Sequence, residues 1–250
     1  MTIAVRTPEE LQLMRHAGKI TSDILDELEA KVKPGVSTFE LDRLSERLIA
    51  KMGAKPAFKG YNGFPCCLCA SVNDEVVHGI PSKKRVLQEG DLMKLDFGVV
   101  YKGWYGDSAR TVGVGKISAE DQKLIEVTKK SLELGIAAAR WGNHVGAIGH
   151  AVQQYVEQNG FSVVRDFQGH GVGRALHETP SVPNYGAAND GPMLAVGTTI
   201  AIEPMVNAGT HKVEILDDDW TAVTLDHRRS AHFEHTIVVT DGDPVILTRG

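Results

Sequence analysis

Two capping boxes stand near the N-terminus, Thr7-Pro8-Glu9-Glu10 and Ser37-Thr38-Phe39-Glu40, and each opens an apolar repeat at helical spacing. Leu11, Met14, Ile24, Leu25, Leu28 and Val32 predict one long amphipathic helix running to Lys33-Pro34-Gly35. Leu41, Leu44, Leu48 and Met52 predict a second, with Gly53 as its stop. The pattern then returns. Ser118 to Asp121 opens a helix carrying Leu124, Val127, Leu132 and Ile136, and another runs from about Val145 through Ile148, Val152 and Tyr155 to Gly160. Each helix pair is followed by strand-like segments, so the chain reads as an internal duplication.

Those segments are Val76 to Ile80, Leu92 to Tyr101, Trp104 to Val114, Phe161 to Phe167, Thr198 to Met205, Trp220 to Leu225 and His232 to Thr240. They alternate or are rich in β-branched residues, between Gly, Pro or Asp boundaries. No Ser/Gly linker or shift in composition divides the chain. The expectation is one α+β domain over residues 1–250, with helices on one side of a mostly antiparallel sheet. Two smaller domains are the alternative that the length allows.

At 250 residues and 42% hydrophobic, the chain has enough apolar content for a sizeable core. Its net charge of −5 offers no footprint for nucleic acid as a main ligand or for anionic lipid. No apolar run reaches membrane-spanning length and the N-terminus lacks the pattern of a signal peptide, which predicts a cytoplasmic protein without a membrane partner. Cys66, Cys67 and Cys69 are an odd set with no second Cys or His pair at zinc-finger spacing. Reduced thiols in a core or pocket wall are expected.

The chemistry lies in acids placed inside strand patterns. In LMKLDFGVVY the apolar residues Met93, Leu95, Phe97, Val99 and Tyr101 alternate on one face, which leaves Asp96 on the other. If Lys102 and Gly103 form a two-residue turn, Asp96 sits opposite Ala109 and diagonal to Asp107, and both acids share a face. Glu203 ends the run TTIAIEP and Glu234 falls in AHFEHTIVV. Acids disfavour strand interiors unless they are paired or bound to metal. Solvated acids on an exposed face are the plainer reading of any one of them, but four together favour convergence on a cation.

His170, in QGHGVGRALHETP, adds a nitrogen ligand, and Gly169, Gly171 and Gly173 would let backbone approach the site. The G-x-G-x-G spacing does not suit a dinucleotide loop, and His177-Glu178 does not continue to a second zincin histidine. Four carboxylates and an imidazole suit two divalent ions with bridging acids and a hydroxide. The oxygen-rich set favours Mn²⁺, Fe²⁺ or Co²⁺, with Zn²⁺ the poorer fit.

At VNDEVVHGIPS, LDFGVVYKGWYGDSART, GHGVGRALHETP, TIAIEPM and AHFEHTIVVT, taken in order and spacing, the sequence resembles the type I methionine aminopeptidases. The likeness covers nearly the whole chain. It implies the duplicated pita-bread (creatinase/aminopeptidase) fold and a cytoplasmic monomer. It also implies hydrolysis of the first peptide bond, which would remove the initiator methionine from nascent proteins and peptides whose second residue is small. By this resemblance Asp96, Asp107, His170, Glu203 and Glu234 hold the metals, Glu203 shuttles the proton, and His78 and His177 bind and polarise the substrate.

The resemblance further maps a methionine pocket onto Tyr61, Phe64, Cys69 and Trp220, with Phe58 and Leu176 nearby. Core packing is the alternative for each aromatic. Nascent polypeptide N-termini would be the substrates and the ribosome exit region a partner, although no ribosome-binding motif is present. His232 departs from the family's usual glutamine and would share Glu234's face, where it hydrogen-bonds the site or competes as a ligand. Lys94 shares Asp96's face and would weaken metal binding unless its stem carries the ammonium away. His235, His16 and His227 fall outside the site.

Two rival readings remain. An Xaa-Pro aminopeptidase or prolidase shares the fold and ligands, but usually with an added N-terminal domain for which this chain has no room. A catalytically silent pita-bread protein would bind partners instead, yet such proteins tend to lose ligands and all five positions are filled here.

Overall fold

The computed structural model describes residues 3–249. Four helices form where the caps predict them: α1 (Pro8–Glu29), α2 (Thr38–Lys51), α3 (Ala119–Ala138) and α4 (Gly146–Gln158). The first two capping boxes are reciprocal. Thr7 and Ser37 accept from the N–H groups of Glu10 and Glu40, whose side chains accept from the cap backbone in return. Ser118 caps α3 through the N–H of Asp121. α1 ends earlier than its periodicity suggests: past Ala30 the amides turn to carbonyls three residues back, Lys31 N to Leu28 O at 2.9 Å and Val32 N to Glu29 O at 3.0 Å, a tightening that closes the helix before Pro34. Val32, beyond the helix, still packs against the core that α1 covers.

The strands, in chain order, are β1 (Lys55–Pro56), β2 (Leu68–Val72), β3 (Glu75–Val77), β4 (Leu92–Tyr101), β5 (Trp104–Gly113), β6 (Ser162–Val163), β7 (Gly169–Gly171), β8 (Glu178–Val182), β9 (Thr199–Ile202), β10 (Met205–Asn207), β11 (Val213–Ile215), β12 (Ala222–Thr224), β13 (Ser230–His232), β14 (Glu234–Val238) and β15 (Val245–Ile246). The main sheet runs β1-β4-β5-β14-β9-β7-β8, with β2 paired to β4 and β15 to β14. Two smaller sheets, β13-β10-β6 and β11-β12-β3, flank it. The pairing is antiparallel, as in the pita-bread fold.

The β4–β5 hairpin has the expected turn. Lys102 and Gly103 both take positive φ, at 49° and 81°, the two-residue geometry whose twist matches the flanking strands. Asp96 therefore pairs with Ala109, and Gly98 with Asp107. The alternation also sets the layers. Met93, Leu95, Phe97 and Val99 join α1 and α2 in one apolar cluster. Ile200, Ile202 and Ile237 join the α3–α4 side in another. Both helix pairs lie on the same face of the sheet, and the acids face away from them.

Two segments predicted as unbroken strands are each divided. Thr198 to Met205 splits into β9 and β10 at Glu203-Pro204, and His232 to Thr240 splits between β13 and β14 at Phe233. Proline has no N–H for the ladder, and only Phe233 N reaches across, to Pro204 O at 3.4 Å. The register nevertheless continues past the gap: His235 faces Ile202 on one side and Met205 faces His232 on the other. Glu203 and Glu234 thus stand at matching positions where the ladder is open. Three other predicted runs shrink to the short strands β3, β6 and β12, while β1, β2, β7, β8, β11 and β15 form where no strand was expected.

Candidate metal centre and substrate cavity

Register alone gathers the acids. Asp96 faces Ala109 across β4–β5, Ala109 faces Glu234 across β5–β14, and Glu203 lies at the next position beyond Glu234. Asp107 is two residues from Ala109 and shares its face. His170 pairs with Ala201 from the far side, two residues before Glu203. Five polar side chains from β4, β5, β7, β14 and the end of β9 are in this way directed into one cavity of about 230 Å³.

Asp107, His170 and Glu234 each offer a ligand atom within 4.8 Å of the others, a group able to hold a metal ion. His170 Nε2 lies 3.8 Å from Asp107 Oδ2 and 3.5 Å from Glu203 Oε1, while its Nδ1 is held by the carbonyl of Gly171 at 3.0 Å. Asp96 and Glu203 line the same cavity. Backbone bonds fix the frame: Thr236 Oγ1 accepts from Asp107 N and donates to Asp107 O, and Asn184 donates to Glu203 O at 3.1 Å.

The frame is satisfied; the carboxylates are not. Asp96 Oδ1, Asp107 Oδ1 and Glu234 Oε1 are buried without a hydrogen-bond partner. Burial pushes Asp96 up to about 7 and Glu203 to about 8, and burial with neighbouring acids holds Asp107 and Glu234 well above the usual carboxylate range. Burial drives His170 down to about 3, so its imidazole is neutral and able to donate a lone pair. Orphaned carboxylate oxygens beside a neutral imidazole are the donor set a divalent cation completes.

Two more histidines face the cavity. Tyr61 Oη and His177 Nδ1 are 2.5 Å apart, which leaves the other ring nitrogen of His177 available. His78 holds a left-handed backbone at φ 60°, unusual for a side chain of its size, and its ring packs edge-on to Phe167 and Trp220. Burial lowers both, His78 to about 4.

The remaining wall is apolar. Phe58, Phe64, Cys69 and Leu176 form one buried cluster with Tyr61 and Trp220 packed on it, and all six line the cavity. Asn62, Val77, Phe167, Gln168 and Met205 also line it and were not singled out by sequence. Each lies within about three residues of a recognised position, a proximity that is the only signal the chain offers for them. The three cysteines are free thiols, and burial pushes Cys66 up to about 11 and Cys67 to about 12.

At Gly169 and Gly171 an added Cβ would lie 2.3 Å from the carbonyl oxygens of Ala201 and Thr179, so these glycines serve the tight packing of β7 between β8 and β9. Lys94, fully buried, turns its ammonium away from the acids onto the carbonyls of Asn73 at 2.8 Å and Ser230 at 2.9 Å. His232 is buried beside the site with Nε2 3.6 Å from Glu203 Oε2, beyond hydrogen-bond reach. His235 bonds Thr248, His16 packs on Tyr101 and His227 meets Asp74, all apart from the cavity.

Residues 12–241 match the model of metallopeptidase family M24. A methionine aminopeptidase of Bacillus subtilis is 53% identical over 99% of both chains. The crystal structure of a methionine aminopeptidase from Thermotoga maritima superposes with a TM-score of 0.98 at 44% identity, covering all of both chains. A prolidase from Pyrococcus horikoshii shares the fold at a TM-score of 0.80, but at 22% identity and over 63% of its own chain. The chain belongs to metallopeptidase family M24, on its methionine aminopeptidase branch.

Proposed function

We propose that the chain acts as a single catalytic unit over residues 1–250 and removes N-terminal methionine from peptides and nascent proteins whose second residue is small. One observation carries this reading: the set of unpartnered buried carboxylates opens directly onto a thiol and aromatic wall of a size and softness suited to a thioether side chain. Burying the methionine side chain there sets the first peptide bond against the acids.

Asp96, Asp107, His170, Glu203 and Glu234 would hold two divalent ions, Mn²⁺, Fe²⁺ or Co²⁺ by the oxygen-rich character of the set. When bound, the ions supply Lewis-acid polarisation of the carbonyl and a nucleophile at neutral pH. The chain's own groups do the rest. Glu203, as a carboxylate, would take the proton released by the attacking water and pass it to the departing amine. His177, its Nδ1 engaged by Tyr61, presents its second nitrogen to the scissile carbonyl, and His78, on the same cavity, orients the peptide. The apolar cluster excludes water around the methionine side chain.

Acting on new chains, the protein would work in the cytoplasm as a monomer, near the ribosome exit region. A peptide panel on metal-reconstituted protein tests the reading. Release of methionine from Met-Ala-Ser, with little from an Xaa-Pro peptide, supports it. Preference for Xaa-Pro favours the proline-specific reading that the shared fold permits, and no turnover with any of the three metals favours a silent binding protein.

A further inference from the structure

We propose that Arg6, in the segment before α1, is a positioning residue that holds the loop bearing Leu176 and His177 in its working shape. The inference rests on the aminopeptidase reading for its rate effect and on packing alone for its structural effect.

The loop between β7 and β8 has little regular structure, yet it presents both a wall of the methionine cavity and a histidine of the site. What fixes it is the side chain of Glu178, next to His177. Glu178 Oε1 accepts the backbone N–H groups of Arg174 at 2.7 Å and Ala175 at 3.0 Å, closing the loop back on its own end. Its other oxygen is taken by Arg6 in an ion pair whose side chains are 8% and 19% exposed. A free carboxylate at this position would turn toward water and release the two amides; the guanidinium holds it inward.

Arg6 is itself held from several sides. Its Nε donates to Thr199 Oγ1 at 3.3 Å, and that hydroxyl donates to Val172 O at 2.6 Å, so one contact ties β9 to the start of the loop. The Arg6 backbone N–H bonds Gly197 O at 2.9 Å. The guanidinium lies 5.4 Å from the ring centroid of buried Trp104, while Arg174 packs on the same ring at 4.3 Å. Gly173 leaves no room for a Cβ against the guanidinium, so loop backbone and cation are in direct contact. Thus a residue outside every site motif completes a clamp that runs from the N-terminal segment through Glu178 to His177.

A double-mutant cycle on manganese-loaded full-length protein tests the clamp, with methionine release from Met-Ala-Ser as the rate. Arg6→Ala is expected to lower kcat by about tenfold or more with metal content unchanged, since small misplacements of a catalytic group carry costs of that order. In a His177→Ala background the same change is expected to cost little further. Arg6→Lys, which keeps the charge without the planar fork, should fall between. Glu178→Gln leaves one neutral acceptor oxygen where the carboxylate uses two, so it cannot hold Arg6 and the two loop amides together and should reproduce the loss if Arg6→Ala fails to fold. Hydrogen exchange on the metal-free protein provides a readout independent of activity: amides 174–177 should exchange faster in Arg6→Ala, with β4 unchanged. Full additivity in the cycle, or unaltered exchange in the loop, would overturn the proposal. If the wild type releases no methionine, the aminopeptidase reading falls and loop exchange alone decides the clamp.

Discussion

At the scale of the residue, the site is a set of groups whose ionisation is frustrated by burial. A carboxyl whose folded pKa lies above its unfolded value contributes stability fully below the unfolded value, and that contribution is lost as pH rises through the folded one. Asp96 and Glu203, raised to about 7 and 8, therefore weaken the metal-free fold as pH climbs toward 8. The buried histidines work in the other direction: His170 and His78, depressed to about 3 and 4 from an ordinary 6.5, cost stability only as pH falls below 6.5. Between pH 6.5 and 8 the acids dominate. The melting temperature of chelator-treated protein should fall across that window, whereas Mn²⁺-loaded protein should hold steady; parallel curves would contradict this. His177→Ala makes a separate prediction. Turnover should drop by about 10²-fold, the scale of one lost oxyanion-type contact, with metal content intact by elemental analysis.

At the scale of the element, legibility follows how each strand is buried. The β4–β5 hairpin is readable because one face alternates and the turn has the right residue at each position, and the register this implies places Asp96 and Asp107 together from the sequence alone. β2 is not readable: all five residues are buried, so no alternation remains in Leu68–Val72. β7 is hidden by glycines, whose purpose is close packing. The gap between β9 and β10 is half legible in Pro204, but that Phe233 opens the opposite strand at the same level depends on pairing across distant sequence. The helices are legible through their caps, and α1 makes its own prediction. A Cβ at Gly18 would stand 2.1 Å from Leu247 O, so α1 lies directly on backbone near the C-terminus. Gly18→Ala should destabilise the fold by about 1–3 kcal/mol or more, read from urea unfolding, despite alanine's better helix propensity. A neutral or stabilising result would mean that α1 does not rest against the Leu247 carbonyl.

At the scale of the whole molecule, the proposed ligands are drawn from both halves of a duplicated chain: Asp96 and Asp107 from the first hairpin, His170, Glu203 and Glu234 from the second half. Cation binding should then fasten the halves together. A ligand at a hundred times its dissociation constant stabilises by about 2.7 kcal/mol, so metal removal should lower the melting temperature of the entire fold in one transition. Loss confined to an early, partial transition would show that one half binds the metal alone. The overall architecture is legible because helix pairs and strand runs recur in order, and the site because acids sit where strands exclude them. The clamp through Arg6 is not legible, since nothing local to that residue marks the loop it reaches.

The proposed chemistry depends on Asp96, Asp107, His170, Glu203 and Glu234 converging on divalent cations. Anomalous diffraction from Mn²⁺-soaked crystals measures this most directly. The expected result is two manganese peaks among these five side chains, at the open end of the apolar wall. Peaks elsewhere, or none in a cavity whose acids point apart, would contradict it.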